Sequence, residues 1–315
     1  LYPYSVEEIY SPYLSRYSQY PAIAGAVVLM VWCLMLVYAL YRLSRRPEIE
    51  KLLLLAALMC SGVMLFNYDR LNEVILAAAL IFFYLKYYDH EKPAYRFLAV
   101  FCLAFAAALK LTPAVLGVLL LYKKQWKDAV VAVILGLVLA IVPFFWLEGT
   151  FTDNVRLFIE DMIIQAGVYN DGFFGINGIY LFDALRPHLS VIPWIIGILA
   201  LIVAGSFEER WKQVGLVTLM LLLTTNTQGY YCVIYLFGAI VMFFDAKPAR
   251  GRLLYLLLFI GLLQPLQYDI TLPGMSITNY SMTNTLLIIL YICLLVEGIC
   301  KFVQGRLRKA QISED

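Results

Sequence analysis

The chain has 315 residues, of which 63% are hydrophobic and only 15% charged, and its net charge is +2. Mean hydropathy is +0.80, more apolar surface than a soluble domain of this length can hide, so composition points to an integral, multi-pass membrane protein. The near-neutral balance gives no reason to expect a nucleic-acid partner; the lipid bilayer is the expected one.

In chain order, the apolar stretches are Pro21 to Leu43, the short Leu52 to Phe66 and Val74 to Leu85, and the still shorter Phe97 to Leu109 and Ala114 to Leu121. Ala129 to Leu147, Val191 to Ala204, Val214 to Thr225, Tyr231 to Phe244, Leu253 to Leu266 and Thr285 to Val303 follow. Stretches of about 20 apolar residues mark membrane spans. The chain opens at Leu1 with tyrosine-rich loop sequence. We read 1–315 as a single transmembrane domain, a fragment whose N-terminal span and first external loop are missing.

Charge placement orients the spans. With the N-terminal segment outside, 19 of the 24 Lys and Arg fall on the cytoplasmic side, in clusters around Arg42, Lys86, Lys123, Arg210, Lys247 and Lys301. Only Arg16, Arg70, Arg156 and Arg186 fall outside, and Lys110 lies within an apolar stretch. The positive-inside rule then puts the C-terminus in the cytoplasm. The expected location is the plasma (inner) membrane of a bacterium.

Arg96 and Lys123 share the cytoplasmic side, yet the two helices between them, of roughly 13 and 8 residues, reach only about 20 and 12 Å. Neither crosses a core of about 30 Å. The segment is expected to be a re-entrant or short-helix hairpin with Lys110, Thr112 and Pro113 at its tip, lining a cavity. The alternative is one long tilted span, which would invert every later loop.

On the external side, Val155, Phe158, Ile159, Met162, Ile163 and Ala166 recur at helical spacing, with Asn154, Arg156, Glu160 and Gln165 opposite. This predicts an amphipathic helix in the outer interface, capped by Asp153 and ended by Gly167. Tyr268 to Thr283 is expected to be an external loop. The six cysteines lie in apolar segments and read as small buried hydrophobes. His90 and His188 are far apart, so no metal site and no cofactor are expected.

Lys110 is the first candidate for chemistry. An ammonium at the centre of a hydrocarbon layer costs about 2.5–3.5 kcal/mol on insertion scales, so it should face a cavity or an anionic partner. A lysine there neutralises phosphate as a point charge; the alternative is snorkelling to an interface. The second candidate is the polar knot Asn67–Tyr68–Asp69–Arg70–Leu71–Asn72–Glu73. Either it is a solvated turn with a local Asp69–Arg70 pair, or it lines the site. Tyr230 and Tyr231 stand at the outer mouth of two spans, as an interfacial aromatic belt or as ligand contacts.

These residues resemble glycosyltransferase family 87, membrane enzymes of the GT-C type related to polyprenol-phosphate-mannose-dependent α-1,2-mannosyltransferases. The resemblance runs from Asn67 to Lys127 and is most specific at Ala106 to Pro113. Asp69–Arg70–Leu71–Asn72–Glu73 looks like the family's Asp-Arg-Gly-Asn-x-Glu variant, one residue shorter and without its glycine. Asn177 looks like the asparagine of an external Asn-x-Ser motif, although Gly178 and Ile179 break the pattern. The resemblance implies an all-α GT-C helix bundle acting on a polyprenyl-phosphate-linked sugar, a hexose such as mannose, with a glycan or glycolipid acceptor. Lys110 and then Arg70 would contact phosphate. Asn72, Asp69 and Glu73 would organise the cavity, and Asn177, Tyr230 and Tyr231 would meet sugar or acceptor. The family's base is an Asp in the first external loop, a region expected upstream of Leu1, so no base is assigned. A rival function is a transporter or lipid-carrier flippase, which should show broken helices paired between its two halves. Only the break at Lys110 is visible. A non-catalytic membrane subunit is a third reading.

Overall fold

The computed structural model describes residues 19–69, 71–170, 192–221, 229–247, 251–265, 269–272 and 275–314. The fold is an all-α membrane bundle. Three of its helices are long and apolar enough to cross a membrane among the described residues. They lie within α1 (Gln19–Leu43), within α13 (Asn279–Glu314), and along α7 (Trp126–Ile141) with the short 3-10 turn after it.

The centre is built from shorter helices. α4 (Val74–Tyr87) is buried along almost its whole length, with Ala77, Ala78 and Ala79 fully enclosed. Those alanines let α1, α5 (Pro93–Leu109) and α11 (Gly229–Asp245) approach closely, as small residues do where helices pack in lipid. α11 is also buried on nearly every side. At Gly238 an added Cβ would stand 2.9 Å from Leu85 and 3.0 Å from Phe82 of α4, so the crossing depends on the missing side chain. By contrast α7 has no buried residue, and its Val133, Ile134 and Leu137 are more than half exposed. An apolar face of that size belongs against lipid.

The expected span Leu52–Phe66 is broken. α2 (Glu48–Met59) and α3 (Gly62–Asp69) meet at 59°. Ser61 Oγ donates to Leu58 O at 2.7 Å, and Gly62 N donates to Gln264 O at 3.0 Å. A Cβ on Gly62 would lie 2.7 Å from that carbonyl, so glycine admits the neighbouring chain into the bend.

The hairpin around Lys110 is present. α5 ends at Leu109, Lys110 is extended (φ −141°, ψ 121°), a 3-10 turn covers Thr112–Gly117, and α6 (Val118–Tyr122) returns. Proline at the start of the turn cannot continue the α-helical ladder. Gly117 packs on Leu103, and Tyr84 Oη donates to Leu116 O at 3.0 Å. Both ends of the hairpin lie at the same end of α4: Lys123 pairs with Asp89 at 3.7 Å, and Arg96 with Asp128 at 3.1 Å. That excludes one long tilted span.

The other basic clusters gather at this end. Arg46 bonds the Phe244 carbonyl, and Arg45 N donates to Asp245 at 2.9 Å. Between α10 (Arg210–Leu219) and α13, Lys212 Nζ lies 2.6 Å from Glu297 Oε1 and also pairs with Glu209. Tyr255 Oη donates to Glu297 Oε2 at 2.8 Å. Removing one partner of a buried pair costs about 3–5 kcal/mol. Glu297 and Glu209 are about a third exposed, so Lys212→Ala is expected to cost less, about 2 kcal/mol. A lowered thermal midpoint in detergent would show it; an unchanged midpoint would mean that the network is not structural.

Three expectations need correction. α8 (Phe151–Asn170) is the expected amphipathic helix, but Thr150 caps it: its Oγ1 accepts from Asp153 N at 3.2 Å. Gly167 lies inside the helix, and Asn154 is buried, donating to Phe144 O at 3.0 Å rather than facing water. Within the expected loop Tyr268–Thr283, β1 (Asp269–Leu272) and β2 (Met275–Thr278) form a two-stranded antiparallel hairpin, Asp269 opposite Thr278. Its β-branched residues on either side of Pro273–Gly274 carried that signal. Finally, Cys60 and Cys300 are exposed rather than buried.

Candidate functional site

The site forms where the knot, the hairpin tip and the start of α11 meet. Leu71 closes the knot with φ +47°, the left-handed region that favours glycine. The turn brings Asn72 N to Asn67 O at 3.3 Å.

Asn72 uses both ends of its amide. Oδ1 accepts from Val74 N at 3.1 Å and so caps α4. Nδ2 donates to Tyr231 Oη at 2.7 Å, tying the knot to α11 across 159 residues of sequence. Tyr230 packs edge-on against Tyr231 at 4.3 Å and against Phe66 at 4.5 Å. These tyrosines face the bundle and not lipid: Tyr230 is 7% exposed.

Glu73 lies just before α4 and Lys110 just after α5. Lys110 Nζ stands 2.7 Å from Glu73 Oε1 and 5.4 Å from the Tyr231 ring centroid. The lysine thus has an anionic partner and a π-face. The pair joins the start of α4 to the hairpin tip. The Lys110 side chain remains 30% exposed, and an ammonium has three donors, so it can meet a further anion.

Depth follows from helix length. Glu73 and Asp89 flank the 14 residues of α4, a rise of about 21 Å. Lys110 thus sits about 20 Å from the basic end, a distance shorter than a core of about 30 Å.

Of the expected residues, the structure brings together Lys110, Glu73, Asn72, Tyr230 and Tyr231. Asp69 ends α3; its side chain, with Arg70 and Asn177, lies outside the described residues. One residue was missed. Tyr235 is almost fully buried on α11. Its spacing of four from Tyr231 places both on one face of α11, which is the signal that could have found it.

A family model, glycosyltransferase family 87, matches residues 14–227. The chain belongs to glycosyltransferase family 87. The matched region contains the knot, the Lys110 break and the helices that present them, and it stops just before Tyr230 and Tyr231. No curated protein and no solved structure matches the chain. Membership makes this family 87 chain a glycosyltransferase, with sugar donor and acceptor as substrates and a membrane as its setting. Both helix breaks, at Cys60–Ser61 and at Lys110, precede residue 123. The pairing between two halves expected of a transporter is thus not found among the described residues.

Site geometry makes Tyr231 testable on its own. Tyr231→Phe keeps the ring over Lys110 and leaves the Asn72 amide without its acceptor. A hydrogen bond of this kind contributes about 0.5–1.5 kcal/mol. Transfer is expected to fall about fivefold, with Tyr231→Ala worse because the π-face is lost as well. Equal rates for wild type and Tyr231→Phe would remove Asn72 from the positioning role.

Proposed function

We propose that this family 87 enzyme transfers a hexose, such as mannose, from a polyprenyl-phosphate donor to a glycan or glycolipid hydroxyl on the external face. The observation that carries the reading is the cation at Lys110, partly exposed, held by Glu73 and set inside the apolar thickness. A donor whose phosphate is anchored in lipid arrives at that depth, whereas a soluble nucleotide sugar does not.

In the reaction the bond between the anomeric carbon and the phosphate oxygen breaks. A bond forms from the acceptor oxygen to that carbon, and the acceptor proton passes to a base. Negative charge builds on the departing polyprenyl phosphate, and a preorganised cation there lowers the barrier. Lys110 supplies it, and Glu73 and Tyr231 hold its position. Glu73 is engaged by Lys110 and is not the base in this reading. The base in this reading is a different carboxylate. Arg70, Asp69 and Asn177 join as further contacts to phosphate, sugar or acceptor. The basic end, with the C-terminus, faces the cytoplasm of a bacterium.

The test is donor choice in membranes that contain the full-length protein. Label is expected to move from a radiolabelled polyprenyl-phosphate hexose and not from the corresponding nucleotide sugar. Transfer from the nucleotide sugar alone would contradict the reading.

A further inference from the structure

At the end of the bundle opposite Lys110 lies a cavity of about 720 Å³, between the C-terminal ends of α1, α4 and α11 and the start of α10. Arg42, Arg45, Lys86 and Arg210 line it, with Asp89 and Asp245 among the carboxylates.

Three of the four lining carboxylates are already engaged, and the fourth, Glu91, is exposed. Asp89 lies between Arg210, at 3.9 Å, and Lys123, at 3.7 Å. Asp245 accepts from Ser44 Oγ at 3.3 Å and from Arg45 N at 2.9 Å. Glu209, also on the wall, pairs with Lys212 and with Lys301 at 4.0 Å. The cations are not matched in return. Arg42 donates only to two phenols, Tyr38 Oη at 3.5 Å and Tyr87 Oη at 3.3 Å. Arg42, Lys86 and the Arg45 guanidinium make no ion pair among the described residues.

Three unpaired cations around one cavity repel each other, and helix C-termini alone offset only part of that. Two of them are guanidinium groups, whose planar donors match phosphate oxygens. The cavity also lies where the helices leave the bilayer, the level of lipid headgroups. We propose that this cavity binds a phosphate-bearing anion, carried by an anionic phospholipid headgroup or free in solution. Such a ligand would tie α1 to α4 and α11 far from the Lys110 site.

The full-length protein in neutral phosphatidylcholine nanodiscs gives the test. One arm adds phosphatidylglycerol to the discs and the other adds inorganic phosphate to the buffer. Thermal midpoint and retained lipid by native mass spectrometry are the readouts. At least one arm is expected to raise the midpoint by several degrees, and which arm does so identifies the source. The rise should fall at least threefold in Arg42→Gln/Lys86→Gln. It should persist in Arg42→Lys/Lys86→Arg, which keeps both charges and guards against a fold lost with them. Arg306→Gln, which removes a cation outside the cavity, should respond like wild type. No rise in either arm, or an equal rise in Arg42→Gln/Lys86→Gln, would overturn the proposal.

Discussion

Lys110→Ala is expected to lower transfer by about 100-fold or more while the protein still inserts and folds, because removing one preorganised charge donor costs about 10²–10³ in rate. Insertion should survive, since deleting an ammonium from an apolar stretch makes the stretch more apolar. What remains is Glu73, half-buried and without its partner. Lys110→Arg keeps the charge in a larger, planar head that does not reproduce the compact Nζ–Glu73 contact, so an intermediate loss of about tenfold is expected. The check is kcat/KM in membrane vesicles at matched protein levels. Wild-type turnover in Lys110→Ala would mean that phosphate is neutralised elsewhere.

Gly238→Val should fail for a different reason. The added Cβ meets Leu85 at 2.9 Å and the Phe82 ring at 3.0 Å, and both side chains are fully buried. Overpacking of that kind costs about 1–3 kcal/mol, and the strain spreads into backbone shifts. α4 is the helix that would move, and Glu73 stands at its start. A displacement of about 1 Å at a reacting centre costs about 10² in rate. A lower melting midpoint in detergent is therefore expected together with reduced transfer. Gly238→Ala should show both effects in weaker form. An unchanged midpoint in Gly238→Val would mean that α4 and α11 do not depend on this contact.

The two variants also show what the sequence could and could not reveal. The break at Lys110 was legible because a charge, a threonine and a proline interrupt an apolar run between two basic loops. Short helices with both ends on one side leave a hairpin as the solution. The basic clusters were legible as one face, and they converge in space through Asp89, Asp245 and Glu297. The partner of Lys110 was not legible. Glu73 is 37 residues away (110 less 73), and periodicity within a helix says nothing about which of several acids a distant lysine meets. Asn72 and Tyr231 pose the same difficulty over 159 residues. The bend at Cys60–Ser61 was hidden because Ser and Gly also occur in unbroken membrane helices. Its cause is tertiary, the carbonyl of Gln264 approaching Gly62. The start of α8 was misplaced because Asp153 and Thr150 can each cap a helix, and only the hydrogen bond to Asp153 N decides between them.

The central claim is that Lys110 recognises the phosphate of a lipid-linked donor. The most direct measurement is binding of a polyprenyl phosphate, beside the uncharged polyprenol, to wild type and Lys110→Ala in nanodiscs. Wild type is expected to prefer the phosphate by about tenfold or more, as a charge-assisted hydrogen bond of about 1.5–3 kcal/mol provides. Lys110→Ala should bind the two lipids about equally. A phosphate preference of the same size in both proteins would contradict the account.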